Sequence, residues 1–302
     1  MAEATIPVDL RNPGQVFACL GLMEAAHVLL GPGEVNGGYA WADGASTARF
    51  TLAAPGDADP VRVVLDFLFQ AHVEAVGYRD SVPFKSSWKL HTRTITNDVA
   101  NIPPSKPDKD GELKPNPMLP AAIVVTDREL AISSWGETSA LGRDNLKFWA
   151  GSAGMPGARF VVDAIDLVSD LRSADRQVAY SDPFSVARRQ SSSFNFDRRR
   201  IAPALDAGFS VDAQKGKVFA VGYPLVELLA AVGLQNARPE RIDKLNYRYA
   251  VASSPLPLLF ARAVLGAQTL GFPARTFRMR LGWPGQEGQA RCILDAQEEH
   301  PQ

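Results

Sequence analysis

Apolar positions recur along this chain in short blocks whose spacing changes, and each change marks an element. Between Asn12 and Gly31, the residues Val16, Phe17, Leu20, Met23 and Leu30 fall at helical spacing on one stripe. Asn12 is placed to cap that helix, Pro13 suits its first position, and Gln15 stands three residues after the cap. Gly31 and Pro32 stop it. Gly14 falls in the first turn and Gly21 suits a close packing contact, so the opening "IPVDLRNPGQVFACLGLMEAA" reads as strand, turn and helix rather than as a phosphate loop.

The alternation then shortens. "GYAWADGASTARFTLAA" places Asp43-Gly44 between two extended runs, a hairpin signal. Asp59-Pro60 opens a second helix, "VRVVLDFLFQAHVEAV", closed by Gly77. "FKSSWKLHTRTITN" reads as extended. Residues 101–120, "NIPPSKPDKDGELKPNPMLP", form an irregular loop whose prolines and mixed charges resist helix and sheet. "AIVVTD" and "LAISSW" predict another hairpin around Asp127-Arg128, and "RDNLKFWAG" and "RFVVDAIDLVSDLRS" predict helices.

In the second half, "GKVFAVG", "KLNYRYAVAS", "RTFRMRLGW" and "ARCILDA" read as strands. "PLVELLAAV" and "PLLFARAVLGA" read as helices. Strands and helices do not alternate regularly, so the expected class is α+β, with mixed helices and antiparallel hairpins. The expected organisation is one globular unit over 1–302, with a subdivision into 1–100 and 121–302 as the variant.

Composition narrows the function. A net charge of −1 from 32 basic and 33 acidic side chains gives no global attraction for nucleic acid, only room for a local patch. No run reaches the roughly 20 apolar residues of a membrane span, and "MAEATIP" has no leader character, so a cytoplasmic protein is expected. Cys19 and Cys292 lie in apolar surroundings and read as buried, reduced thiols.

Motifs of chemistry are missing. HExxH, CxxC, GxSxG and GxxxxGK[ST] do not occur, and no cofactor or metal is expected. His27 and His72 sit beside apolar stripes and read as packed or capping residues. Asp197 and Asp206, with His91, are the only weak candidates for a metal-dependent nuclease.

Basic and aromatic residues interleave more suggestively. "ARRQSSSFNFDRRRIAP" holds Arg188, Arg189, Arg198, Arg199 and Arg200, with Phe194 and Phe196 between the groups and Asp197 as the one offset. Guanidinium forks bind phosphates and exposed rings stack on bases; the competing expectation is a salt-bridged face over two buried rings. Lys85, Lys89 and Arg93 around Trp88 form a second cluster. Arg275, Arg278 and Arg280 form a third, and the alternation is read as presenting all three near one side of a strand, although Arg275 lies out of phase with Arg278.

Three stretches, "IPVDLRNPGQVFACLGLMEAA", "FNFDRRRIAPALDAGFS" and "YPLVELLAAVGLQNARP", resemble segments of the accessory subunits of subtype I-G (formerly I-U) CRISPR-associated systems. The resemblance implies a non-catalytic subunit of a Cascade-like effector in antiviral defence. It implies an RRM-like (ferredoxin-like) core with large insertions. Its implied partners are guide RNA, target DNA, other effector subunits and the helicase-nuclease that the complex recruits. Against it stand a protein-interaction module without nucleic-acid contact, and the metal-dependent nuclease.

Overall fold

Two helices that are apolar on almost every side set the architecture. A computed structural model describes residues 1–31, 33–78, 92–95, 106–107, 113–114, 121–132, 157–190, 192–200, 209–212, 217–268, 270–282 and 291–299. In chain order these form β1 (Ala2–Asp9), α1 (Pro13–Leu29), β2 (Asn36–Trp41), β3 (Thr47–Ala54), α2 (Pro60–Gln70) and β4 (His72–Tyr78). Next come β5 (Thr92–Ile95), β6 (Lys106–Pro107), β7 (Leu113–Lys114), β8 (Ala121–Val125), β9 (Arg128–Ile132), α3 (Gly157–Ser169) and α4 (Ser173–Ser181). The rest are β10 (Arg188–Arg189), β11 (Phe209–Asp212), β12 (Lys217–Gly222), α5 (Pro224–Gly233), β13 (Glu240–Arg241), β14 (Asn246–Ala252), β15 (Leu256–Pro257), α6 (Leu258–Leu265), β16 (Ala274–Gly282) and β17 (Cys292–Glu299).

Helix α1 is buried from Pro13 to Ala26, and α5 is buried along its whole length. A single stripe on α1 was expected; the helix is enclosed all round, because sheets and helices cover every side of the pair. Glycines bring the two axes together. A Cβ on Gly21 would overlap the Leu229 carbonyl of α5, and one on Gly233 would lie 2.7 Å from the Gly21 nitrogen. The close packing read at Gly21 is therefore real, and Gly233 is its counterpart.

Around this pair lie four sheets. Their orders are β1-β3-β2-β15, β5-β4-β8-β9, β10-β12-β11 and β13-β14-β16-β17, and β6 and β7 form a separate pair. All described pairings are antiparallel except β4 with β5. The architecture is thus a mixture of helices and mainly antiparallel sheets. The first six elements run β-α-β-β-α-β, and β1-β3-β2 are neighbours, as in an RRM-like unit. The fourth strand departs: β4 pairs with β5 and β8, not with β1, so the described pairing does not complete that core. The largest apolar cluster reaches from Ile6 to Ala296 and includes residues of both chain halves.

Several local expectations hold. The Asp59 side chain caps α2 by accepting from the Arg62 N–H at 2.9 Å. Gly44 takes a φ of 70° in the β2–β3 turn. The second hairpin turns one residue earlier than expected, at Thr126-Asp127, with Val125 opposite Arg128. The predicted helix over 61–76 ends at Gln70, and His72–Tyr78 is a strand. Its apolar periodicity continues, but Ala71 is extended and breaks the helix. Helix α4 was not anticipated; its face is mostly polar. The predicted helix at 143–151 and most of the 101–120 loop lie outside the described residues.

Among the described residues no helix is long and apolar enough to cross a membrane. Cys19 and Cys292 are buried thiols outside any disulfide, and burial pushes the Cys19 thiol well up despite a hydrogen bond with Tyr39. A thiolate is the reactive form. Native protein at pH 8 should therefore label slowly with an aromatic disulfide reagent, and unfolded protein should label rapidly at both sites. Fast labelling of Cys19 in the native state would contradict this packing.

Candidate functional site

The segment Ser192–Arg200 carries the densest arginine group, and its first part, Ser192–Asp197, runs through the interior. Asn195 adopts a φ of 64°, a left-handed conformation that asparagine tolerates. That turn aims two successive backbone N–H groups, of Phe196 and Asp197, at the Glu227 carboxylate on α5, at 3.3 and 3.1 Å. Backbone amides arranged this way form an anion-holding nest, and here the anion is the protein's own. Glu227 is 0% exposed, so the nest replaces its lost water.

Asp197 is the second buried carboxylate, also 0% exposed. Asn12 Nδ2 donates to its Oδ1 at 2.9 Å. Arg199 donates through its backbone N–H at 2.9 Å, through Nε at 3.0 Å, and through Nη2 to Oδ2 at 2.6 Å. Asn12 returns a bond by accepting from the Arg198 N–H at 3.4 Å. So Asn12, read as a helix cap, makes no side-chain cap bond and serves the brace instead. Gln15 accepts from the Asp9 N–H at 2.7 Å rather than closing a capping box. Gly14 makes the approach possible, because a Cβ there would lie 2.6 Å from the Phe196 carbonyl oxygen.

The predicted nucleic-acid residues separate into distinct groups. Phe194 and Phe196 stack on each other at 5.5 Å and are buried, and Phe160 packs on Phe194 at 5.4 Å. Their faces are covered, so base stacking on these rings is corrected to core packing. Arg199 also donates to the Phe184 carbonyl at 2.7 Å and lies 3.5 Å over the Tyr223 ring. Despite burial, its pairing with Asp197 raises its pKa above the usual arginine value. Arg198 pairs with Asp9 at 2.8 Å, and Arg188 pairs with Asp175 at 2.6 Å. Arg189 is exposed on β10, opposite Val221. Arg200 closes the short 3-10 turn at Arg198–Arg200.

Beside this brace is a cleft of about 170 Å³ between Val8, Asp9, Thr47, Asp182, Phe184 and Arg199. It carries charges of both signs, and the Asp9 and Arg199 side chains in its wall are already paired.

The third cluster falls on β16, but the expected grouping of all three arginines near one side is corrected: only the out-of-phase position of Arg275 holds. Arg275 points with Phe277 and Met279, while Arg278 and Arg280 share the opposite side. Arg275 is held by Glu298 at 2.6 Å and by the Ala45 carbonyl at 2.7 Å. Arg280 is 60% exposed and pairs with Asp295 at 2.8 Å. Its row includes Arg248 of β14, which bridges Glu240 and Glu299 at 2.9 and 2.5 Å. Of the second cluster, Arg93 lies on β5, beside Val76 of β4, and Lys85 and Lys89 lie outside the described residues.

The turn before β14 is closed by Asp243. The Leu245 N–H, then the Asn246 side-chain amide, hold its carboxylate below the ordinary range. A depressed folded-state pKa stabilises the fold fully above the unfolded value of about 3.9, and that contribution is lost as pH falls through the lower folded value. The stability difference between the wild type and Asp243→Asn should therefore be present at neutral pH and shrink in acid. Urea denaturation across that range checks it, and a difference that grew in acid would contradict the sign.

Among the described residues no group of three or more His, Cys, Asp or Glu is placed to hold a metal. The oxygens of Asp197 are committed to Asn12 and Arg199, while His91 and Asp206 lie outside the described residues. Sequence reasoning missed Glu227 and Glu24. Each was signalled by standing as the lone acid in an otherwise apolar helix. Glu24 is buried and holds Arg262 of α6 at 2.6 and 2.7 Å, with Asn236 at 3.1 Å.

No protein-family model, no curated protein and no solved structure matches the chain.

Proposed function

We propose that this chain is a non-catalytic subunit of a type I-G CRISPR effector complex, contributing to assembly and to guide RNA and target DNA binding. One observation carries the reading. The three stretches that bear the resemblance are far apart in sequence yet meet in one brace. Asn12 and Gly14 of the first meet Phe196 and Asp197 of the second, and Glu227 of the third closes on both. Gly21 and Leu229 join the first to the third directly. A sequence signature whose parts depend on one another physically supports a shared architecture more strongly than three separate likenesses. The arginine-rich motif then serves the scaffold, and contact with nucleic acid falls to other surfaces.

Co-expression of the tagged full chain with its neighbouring genes and repeat array tests this. Capture of partner subunits together with a discrete guide RNA, released by rising salt, is the expected result. A chain that emerges alone, with neither RNA nor partners, contradicts it.

A second reading is a protein-interaction module without nucleic-acid contact. It is favoured by the pairing of Arg188, Arg198 and Arg199 with Asp175, Asp9 and Asp197. Under that reading, nuclease treatment leaves the assembly intact and no crosslink to RNA or DNA forms.

A further inference from the structure

The outer face of the sheet β13-β14-β16-β17 carries an arginine row at one end and an exposed ring pair at the other. Its inner face is core: Tyr247, Tyr249, Phe277, Met279 and Leu281 are buried, with Tyr249 against Phe17 of α1 at 5.8 Å. On the outer face, α6 covers one end by packing over Ala250 and Ala252. The other end is left to Arg248, Arg278 and Arg280.

Arg278 stands across from Arg248 on β14 and Gln297 on β17, so no carboxylate occupies its cross-strand positions. Its acidic neighbour Asp243 is committed to the Leu245 and Asn246 N–H groups. From Lys244 to Gly282 the sequence contains no Asp or Glu, and the carboxylates on this face come from its rim. The Arg248–Glu240 and Arg280–Asp295 pairs are solvent-exposed and weak enough for a phosphate to replace, while Arg248 is also held by Glu299 at 2.5 Å in a half-buried pair.

At the covered end, α6 turns Leu259 (68% exposed) and Phe260 outward. Phe272, in the turn leading to β16, is also exposed and meets Phe260 edge-on at 5.9 Å. The Ser253 N–H donates to the Pro273 carbonyl, so the ladder continues to that turn. At about 3.3 Å per extended residue, the ring pair and Arg278 are separated by about 20 Å, a span of several nucleotides.

Resting on the proposed binding role, we infer that this face is a site for single-stranded nucleic acid, with Phe260 and Phe272 stacking on bases and Arg278 and Arg280 holding phosphates. Arg248 and Arg280 are matched by Glu240, Glu299 and Asp295, so the cation this face offers a phosphate outright is Arg278, which has no carboxylate across from it. The exposed rings favour a single strand, because a duplex keeps its base faces stacked inside and an acidic protein offers none. Guide RNA and an opened DNA strand share this chemistry.

Fluorescence anisotropy of the purified full chain with labelled 20-nucleotide oligo(dT), oligo(U) and a 20-base-pair duplex tests the site. Both single strands should bind more tightly than the duplex, and the tighter of the two identifies the source. Phe260→Ser with Phe272→Ser should weaken single-strand binding about tenfold at unchanged Tm. Arg278→Glu with Arg280→Glu should weaken it at least as much and flatten the salt dependence by about 1.4 logarithmic units per decade, two phosphates at about 0.7 each. No single-strand binding by the wild type, wild-type affinity in both variants, or loss of partner-protein capture alone would overturn the inference. Binding that needs these residues, in a chain that never joins a guide-containing complex, would sink the effector reading and leave this site standing.

Discussion

Asp197→Ala is expected to destabilise the chain by about 3–5 kcal/mol, the range for breaking a buried ion pair by removing one partner. The carboxylate gathers donors from Asn12 and from three groups of Arg199. Alanine leaves the Asn12 amide buried without its acceptor, and Asn12 is itself 0% exposed. It also leaves the Arg199 guanidinium held between Tyr223 and the Phe184 carbonyl with no counter-charge. Arg199 is 31% exposed, so part of its charge can recover water, which places the expected loss toward the lower end. Asp197→Asn keeps one acceptor oxygen and should lose less, about 2 kcal/mol. Urea denaturation followed by circular dichroism measures both. A nuclease reading makes a different prediction: unchanged stability with lost cleavage. Stability within about 0.5 kcal/mol of the wild type would remove the brace from the account.

Gly21→Ala is the second large effect, and its sign opposes helix propensity. In a free helix, alanine is favoured over glycine by about 1 kcal/mol. Here the added methyl meets the Leu229 carbonyl, which is backbone and cannot rotate away. The helices α1 and α5 must separate, and both are buried, so their neighbours must shift with them. Overpacking of this kind costs about 1–3 kcal/mol where side chains can yield, and the loss here should reach about 3 kcal/mol or more. A fall in Tm checks it; a raised Tm would mean the helices are not in contact at this position.

Much of the fold is legible in the sequence because its signals are local. Pro13, Asp59 and Gly44 act within their own turns, and each does what its chemistry suggests. The alternation along Arg275–Gly282 carries the phase that sets Arg275 apart from Arg278 and Arg280, although clustering in sequence suggested one shared side. The misreadings are long-range. Asn12 looks like a cap until Asp197, far along the chain, claims its side chain. Phe194 and Phe196 look like stacking platforms because interleaving with arginine is the pattern of an exposed basic face. The same pattern arises when a chain threads the core and sends its charges sideways to Asp9 and Asp197. Apolar periodicity could not tell α1 with one buried face from α1 buried on all of them. The lone acids Glu24 and Glu227 were the available clue, since an unpaired carboxylate is not kept in an apolar helix without partners.

A charge reversal at Arg199 would not report on nucleic-acid contact, because that arginine holds the interior together. Crosslinking of the assembled complex to its nucleic acid, followed by peptide mapping, is free of this difficulty. Crosslinks are expected on the peptides that carry Phe260, Phe272, Arg278 and Arg280, and none on Phe194 or Phe196. Crosslinks concentrated on residues 192–197 would contradict the account, since they would require that buried stretch to lie open at the surface.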